Sequence, residues 1–90
     1  VWIDVPSRFK HYQAKGIKFV FKYDSVAPDL LHIYARHLTT PQVAVETFFS
    51  GQATWNEGAK RFETYSTTHG LLWFWLKENE KVMVISCFRI

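Results

Sequence analysis

The sequence predicts an α+β fold, an antiparallel sheet with a pair of helices packed on one face. Three observations predict it. A period-two apolar pattern, IKFVFKYD, opens the legible part of the chain. Two helical segments with their own punctuation follow it directly. The remainder, from residue 52 on, reads as a four-strand meander broken by short polar turns. The expected order is strand, two helices, then four strands, in a single domain spanning residues 1–90.

The first sixteen residues are the least regular. VWIDV suits a short strand, while PSRFKHYQAKG is polar and basic and reads as a helical turn or a loop ended by Gly16. In the next segment Ile17, Phe19, Phe21 and Tyr23 fall on one face and Lys18, Val20 and Lys22 on the other, which predicts a strand with one face on the core. Asp24 and Ser25 offer an N-cap, and Pro28 and Asp29 suit a first helical turn. Ala27, Leu30, Leu31, Tyr34 and Leu38 follow helical spacing, so a helix is expected over about 26–37, with Asp29, His32 and Arg36 on its polar stripe.

A second helix is expected in TTPQVAVETFFSGQ. Thr39 or Thr40 caps it, Pro41 fits its first turn, and Gly51 stops it. QATWNE and KRFETYS flank a hairpin turn at Glu57-Gly58-Ala59, and Thr68-His69-Gly70 makes the next turn. LLWFWLK is apolar on both faces, which predicts a central strand, covered on both sides or with one face left bare. Trp73 and Trp75 share a face and are expected in the core. VMVISCFRI is the last strand, and simple alternation puts Arg89 on the face of Met83, Ile85 and Cys87.

Composition narrows the function classes. A hydrophobic share of 48% with 18% aromatics is that of a folded domain whose large rings offset the entropy cost of a short chain. Cys87 is the one cysteine, so an internal disulfide framework is excluded and a buried thiol is expected. No Cys/His set has zinc-ligand spacing, and no metal or other cofactor is expected. No secretory leader pattern and no apolar run of membrane-spanning length is present, so the expectation is a soluble, cytoplasmic protein with no membrane partner. The formal net charge of +3 is compatible with a nucleic-acid partner.

No phosphate-cradling glycine loop, nucleophile elbow or metal-binding helix motif occurs. The most suggestive cluster is His32, Arg36 and His37. His32 and Arg36 lie one helical turn apart, and His37 follows at the helix end. Cleaving RNA through its own 2′-hydroxyl requires a base, an acid and a cation for the charged phosphorane, and these residue types supply all three. The same residues also suit a solvated helix end, where the helix dipole favours positive charge. Lys18 and Lys22 could flank a nucleic-acid groove or simply solvate a strand face. Lys60 and Arg61 could do the same or guard a strand edge against aggregation. Tyr65 shares a face with Arg61 and Glu63 and suits base stacking or cross-strand packing.

The layout resembles the BrnT-type toxins, small ribonucleases of the wider RelE-like superfamily. Those proteins have an F-x-W-D element on a strand, a Lys-His-Gly-Val stretch at a helix end, and a meander closing on Ile-Ser-Ala-Arg. The corresponding stretches here are FKYD at 21–24, RHLT at 36–39, and ISCFR at 85–89, so the resemblance runs from about residue 20 onward. Tyr23 replaces the tryptophan, and Arg89 stands one position after the closing arginine. The resemblance implies a metal-free endoribonuclease, the toxin half of a toxin–antitoxin pair, with RNA as substrate and an inhibitory antitoxin protein as partner. It implies His37 as general acid or base, with Arg36, Arg61 and Arg89 stabilising the phosphorane. Lys18, Lys22, His32, Lys60 and Tyr65 would bind substrate. The alternative reading is a non-catalytic protein- or nucleic-acid-binding module, a homodimer formed through a strand edge.

Overall fold

The computed structural model describes residues 9–78 and 80–90. It is an α+β fold in which a six-stranded mixed sheet carries two helices. The elements are β1 (Phe9–Ala14), β2 (Ile17–Lys22), α1 (His32–His37), α2 (Pro41–Ser50), β3 (Gln52–Asn56), β4 (Arg61–Tyr65), β5 (His69–Leu76) and β6 (Lys81–Arg89). The sheet order is β1-β2-β6-β5-β4-β3.

Two features correct the expected topology. First, FKHYQA is a strand and neither a helical turn nor a loop. It pairs antiparallel with β2 through a two-residue turn in which Lys15 and Gly16 both have positive φ, 51° and 79°. That geometry matches the twist of a tight hairpin. The strand was hidden because it is mostly exposed and carries little apolar alternation. The strand expected in VWIDV lies outside the described residues. Second, the sheet is not wholly antiparallel. β2 and β6 run parallel, with Phe19 beside Val82 and Phe21 beside Val84. The chain leaves β2, passes through both helices to the far edge, and meanders back until β6 docks against β2.

The core lies between the sheet and the helices. Phe19, Phe21, Leu71, Trp73, Val82, Val84 and Cys87 meet Ile33, Ala44 and Val45 there. Rings dominate it. Phe19 contacts Phe48 and Phe49 edge-on at 5.2 and 6.1 Å, and Trp73 stacks on Phe62 at 4.6 Å. The Trp73 indole N–H donates to the buried Thr64 hydroxyl at 2.8 Å, so its one polar atom is satisfied. Trp75, expected beside it in the core, is instead 43% exposed.

A bulge in β6 corrects the face of the last strand. Leu72 pairs with Ser86 but Trp73 pairs with Val84, so β6 carries one extra residue there. Cys87 therefore shares the helix-covered face with Val84 and Val82, while Met83 lies on the opposite face. Arg89 follows Cys87 and registers with His69. Simple alternation fails because it assumes an unbroken pleat.

The second helix follows its expected punctuation. The Thr40 hydroxyl accepts from the Val43 N–H, Pro41 opens the first turn, and the Gly51 N–H donates to the Thr47 carbonyl. The first helix is shorter than the expected 26–37. The Asp24 carboxylate does cap the N–H groups of Val26 and Ala27, but the turn it caps does not propagate: the Leu30 N–H donates to the Ala27 carbonyl and the Leu30 carbonyl accepts from the Asp24 N–H, which loops the chain back. A bridge between Tyr23 and Leu31 then keeps the chain extended until His32. The helix points Ile33 at the core, while Leu30, Tyr34 and Leu38 stay exposed.

α1 ends on Leu38 at φ 57° and ψ 29°, the left-handed region, with its N–H directed at the Ile33 and Tyr34 carbonyls. A β-carbon costs energy there, and Leu38 is 75% exposed, so it gains little from packing. Leu38→Gly is expected to raise stability by about 0.5–1 kcal/mol, after allowing for the greater freedom of glycine in the unfolded chain. Urea unfolding measures this, and an unchanged or lowered midpoint contradicts it.

Candidate active site

The site begins with a buried carboxylate. Asp24 follows β2 by two residues, and its side chain is only 2% exposed. Its Oδ2 accepts from the N–H groups of Val26 at 3.0 Å and Ala27 at 2.9 Å. Its Oδ1 lies 2.9 Å from Arg36 Nε and 3.2 Å from His32 Nδ1. Its own N–H donates to the Leu30 carbonyl, which closes the loop around it. The Ala27 N–H and then the Arg36 guanidinium hold the carboxyl well below the usual carboxylate range, against the opposing effect of burial.

This anchor sets the chemistry of its neighbours. An ionised carboxylate only accepts, so His32 Nδ1 must donate to it. In the neutral imidazole that leaves the lone pair on Nε2. Arg36 is tied through Nε, its terminal amino groups bond to no described residue, and its side chain is 48% exposed. His37 lies next in the chain, its ring centroid 6.4 Å from that of His32 and 6.0 Å from Phe88. A second tether fixes the helix end against the sheet. The buried Thr39 hydroxyl lies 3.0 Å from the Ile33 carbonyl and 2.8 Å from the Cys87 carbonyl of β6. Burial pushes the Cys87 thiol up to about 11, so it is a packing group with no nucleophilic role.

The strand register sorts the remaining candidates into two ends of the sheet. Lys22 ends β2, Tyr65 ends β4 and Arg89 ends β6. These lie at the end where the Asp24 loop and α1 sit, together with His32, Arg36 and His37. Phe88 and Tyr65 are neighbours across Gly70, with ring centroids 6.5 Å apart on the face away from the main core. A β-carbon on Gly70 would come within 2.8 Å of both rings, so the glycine makes room for the pair. Arg89 is exposed and bonds to no described side chain.

Lys18, Lys60 and Arg61 lie at the opposite end. Lys18 registers with Lys81 at the start of β6. Lys60 pairs with Glu57 in the hairpin turn. Arg61 starts β4, roughly 13 Å along the strand from Tyr65, and its guanidinium is 3.0 Å from Glu63. Glu63 also accepts from Asn56 and from the Tyr65 hydroxyl, at 2.8 and 3.1 Å. The Asn56 amide and then Arg61 and Tyr65 hold its carboxyl down. Burial, then the bond to Glu63, raises the Tyr65 phenol. The structure thus brings His32, Arg36, His37 and Arg89 to one end of the sheet and leaves Arg61 neutralised at the other.

The face of the sheet away from the helices carries an open, mostly apolar groove of about 350 Å³ lined by Val20, Phe74, Leu76 and Met83 together with Phe9, His11 and Lys81. Among the described residues, no cluster of three or more His, Cys, Asp or Glu side chains could hold a metal ion, and no helix is long and apolar enough to cross a membrane.

Sequence reasoning missed Asp24 as the organising residue, having assigned it to a helix cap. The signal was there in outline. An aspartate closing an apolar strand, followed by His32 and Arg36 at helical i, i+4 spacing, presents a carboxylate and two N–H donor side chains that can meet. Compared with known proteins, the chain matches no family model, no curated protein and no solved structure.

Proposed function

We propose that this chain is a metal-free endoribonuclease of the BrnT and RelE-like kind, acting at the end of the sheet where α1 meets β6. The observation that carries the reading is the Asp24 carboxylate, which holds His32 through Nδ1 and Arg36 through Nε, with the His37 ring 6.4 Å from His32. Two imidazoles and a guanidinium on one short helix form a base, an acid and a phosphate ligand in a single cluster.

The reaction is a displacement within the RNA. His32 Nε2 removes the proton from a 2′-hydroxyl, and that oxygen forms a bond to the adjacent phosphorus. The bond from phosphorus to the 5′-oxygen breaks, and protonated His37 delivers its proton to that oxygen. The products are a 2′,3′-cyclic phosphate and a free 5′-hydroxyl. Arg36 and Arg89 stabilise the extra negative charge on the phosphorane. Lys22 and Tyr65, at the same end of the sheet, contact the flanking strand. In this arrangement His32 moves from substrate binding to proton transfer because the carboxylate fixes its tautomer, and Arg61 drops out because Glu63 occupies it.

The left-handed Leu38 lends further support. It stands where the Lys-His-Gly-Val stretch of the toxins has its glycine, and it adopts the backbone that glycine favours. An antitoxin would inhibit by covering this cationic end. The second reading, a non-catalytic binding module, is favoured by the open apolar groove on the bare face of the sheet.

The test is RNA cleavage by the purified chain in EDTA, beside the Arg36→Ala/His37→Ala double variant. The double variant is expected to cut at least about 10³-fold more slowly while keeping the wild-type circular dichroism spectrum. A substrate with a single 2′-deoxy position should resist cleavage there. Equal rates for both proteins, or no cleavage by either, would remove the assignment.

A further inference from the structure

We infer that β3 is a self-pairing edge, through which two copies of this chain join antiparallel with Thr54 on the twofold axis. The proposal is independent of the nuclease reading. β3 is the last strand of the order β1-β2-β6-β5-β4-β3, and among the described residues no strand lies beyond it. Edge strands present unpaired N–H and C=O groups, and proteins commonly protect them with charge, proline or a bulge. β1 carries Lys10 and His11. β3 reads QATWN, with no charge, no proline and no bulge, and four of its five residues are exposed.

The direction of its backbone groups follows from one contact. The Thr54 hydroxyl lies 3.3 Å from the Glu63 carbonyl, so that carbonyl points toward β3. Thr54 and Glu63 are therefore a hydrogen-bonded pair, and alternation turns the N–H and C=O groups of Ala53 and Trp55 outward.

A second β3 fits this edge in one centred register. Ala53 faces the second copy's Trp55, and the two exchange N–H···O bonds, on both sides of the axis. Thr54 faces Thr54 in a non-hydrogen-bonded pair, and Gln52 faces Asn56. Just outside, Gly51 faces Glu57. Every pairing is compatible: amide with amide, hydroxyl with hydroxyl, and small against large where Trp55 meets Ala53. Trp55 is 48% exposed, and its indole N–H is already bonded to Glu57 at 2.9 Å, so its bare ring surface can be covered without stranding a polar atom. No like charges meet, and no ion pair is required, so the contact should be insensitive to salt. The interface is small, so dimerisation will depend on protein concentration.

A cysteine at the axis tests the register. In a non-hydrogen-bonded antiparallel pair the Cα atoms are about 4.5 Å apart, within disulfide range. Cys87 is buried and its thiol suppressed, so the background is low. With oxidised glutathione, Thr54→Cys is expected to form the covalent dimer roughly tenfold faster than Gln13→Cys on β1 or Trp55→Cys, whose counterpart is not opposite itself. In sedimentation, the wild-type chain should show a concentration-dependent dimer that persists in high salt. Thr54→Lys, which sets two cations face to face, should be monomeric with an unchanged circular dichroism spectrum. A wild-type chain that stays monomeric at the highest soluble concentration overturns the proposal. So does cross-linking at residue 54 no faster than at residue 13.

Discussion

Asp24→Asn is expected to lower the melting temperature by about 10 °C and to slow RNA cleavage at least about 10²-fold. The carboxylate accepts from two backbone N–H groups and from the His32 and Arg36 side chains, four donors around one buried group. An amide of the same size brings an NH₂ that must face one of those donors. His32 then loses the partner that fixes its tautomer, and Arg36 loses its tether. The variant should also flatten the acid limb of the stability curve. The folded-state carboxyl is held below its ordinary value, so the contribution of Asp24 is complete above about pH 4, where the unfolded chain is also ionised. Below that the unfolded chain takes up the proton first, and the contribution falls as the pH drops toward the folded-state value. Melting temperatures of both proteins across that range give the test. Parallel acid slopes would falsify the role of Asp24 as anchor.

Phe19→Ala is expected to cost about 3–5 kcal/mol, a large share of the stability of a domain this size. The side chain is fully buried, lies where β2 meets β6, and contacts Phe48 and Phe49 from α2. Its removal opens a cavity against the two-ring cluster that joins helix to sheet. Phe74→Ala, on the bare face, should cost less than half as much, because that ring already borders an open groove. Denaturant midpoints at constant m-value measure both, and equal costs would mean that the core does not lie where the rings converge.

Local patterns announced much of this fold. The period of two in residues 17–22, the Thr40-Pro41 start of α2 and the turn at Glu57-Gly58-Ala59 are each local signals, and each held. What failed depends on distant partners. β1 is polar enough to pass for a loop and is a strand because β2 supplies its ladder. Nothing within either β2 or β6 states that they run parallel. Arg89 shares the face of Cys87 as expected, but Met83 lies on the opposite face, because one extra residue at the bulge reverses the alternation between them. The first helix lost its opening turns to a loop, since the turn that Asp24 caps closes back on the Asp24 N–H through the Leu30 carbonyl and does not propagate. At the site, the Arg36-His37 pair was visible from spacing, but its anchor was not. The separation of Arg61 from that pair required the register of three strands.

The parallel seam between β2 and β6 has a consequence for the newborn chain. The first hairpin and both helices leave the ribosome well before the strand that must lie beside β2. Phe19 and Phe21 therefore wait, half-sheltered, until residues 81–89 emerge. Such long-range closure slows folding and leaves sticky surface open to other chains. A stalled chain emerged only as far as Glu80 should be bound by chaperones and cut readily by proteases, and it should gain protection abruptly once the nine residues of β6 have also emerged.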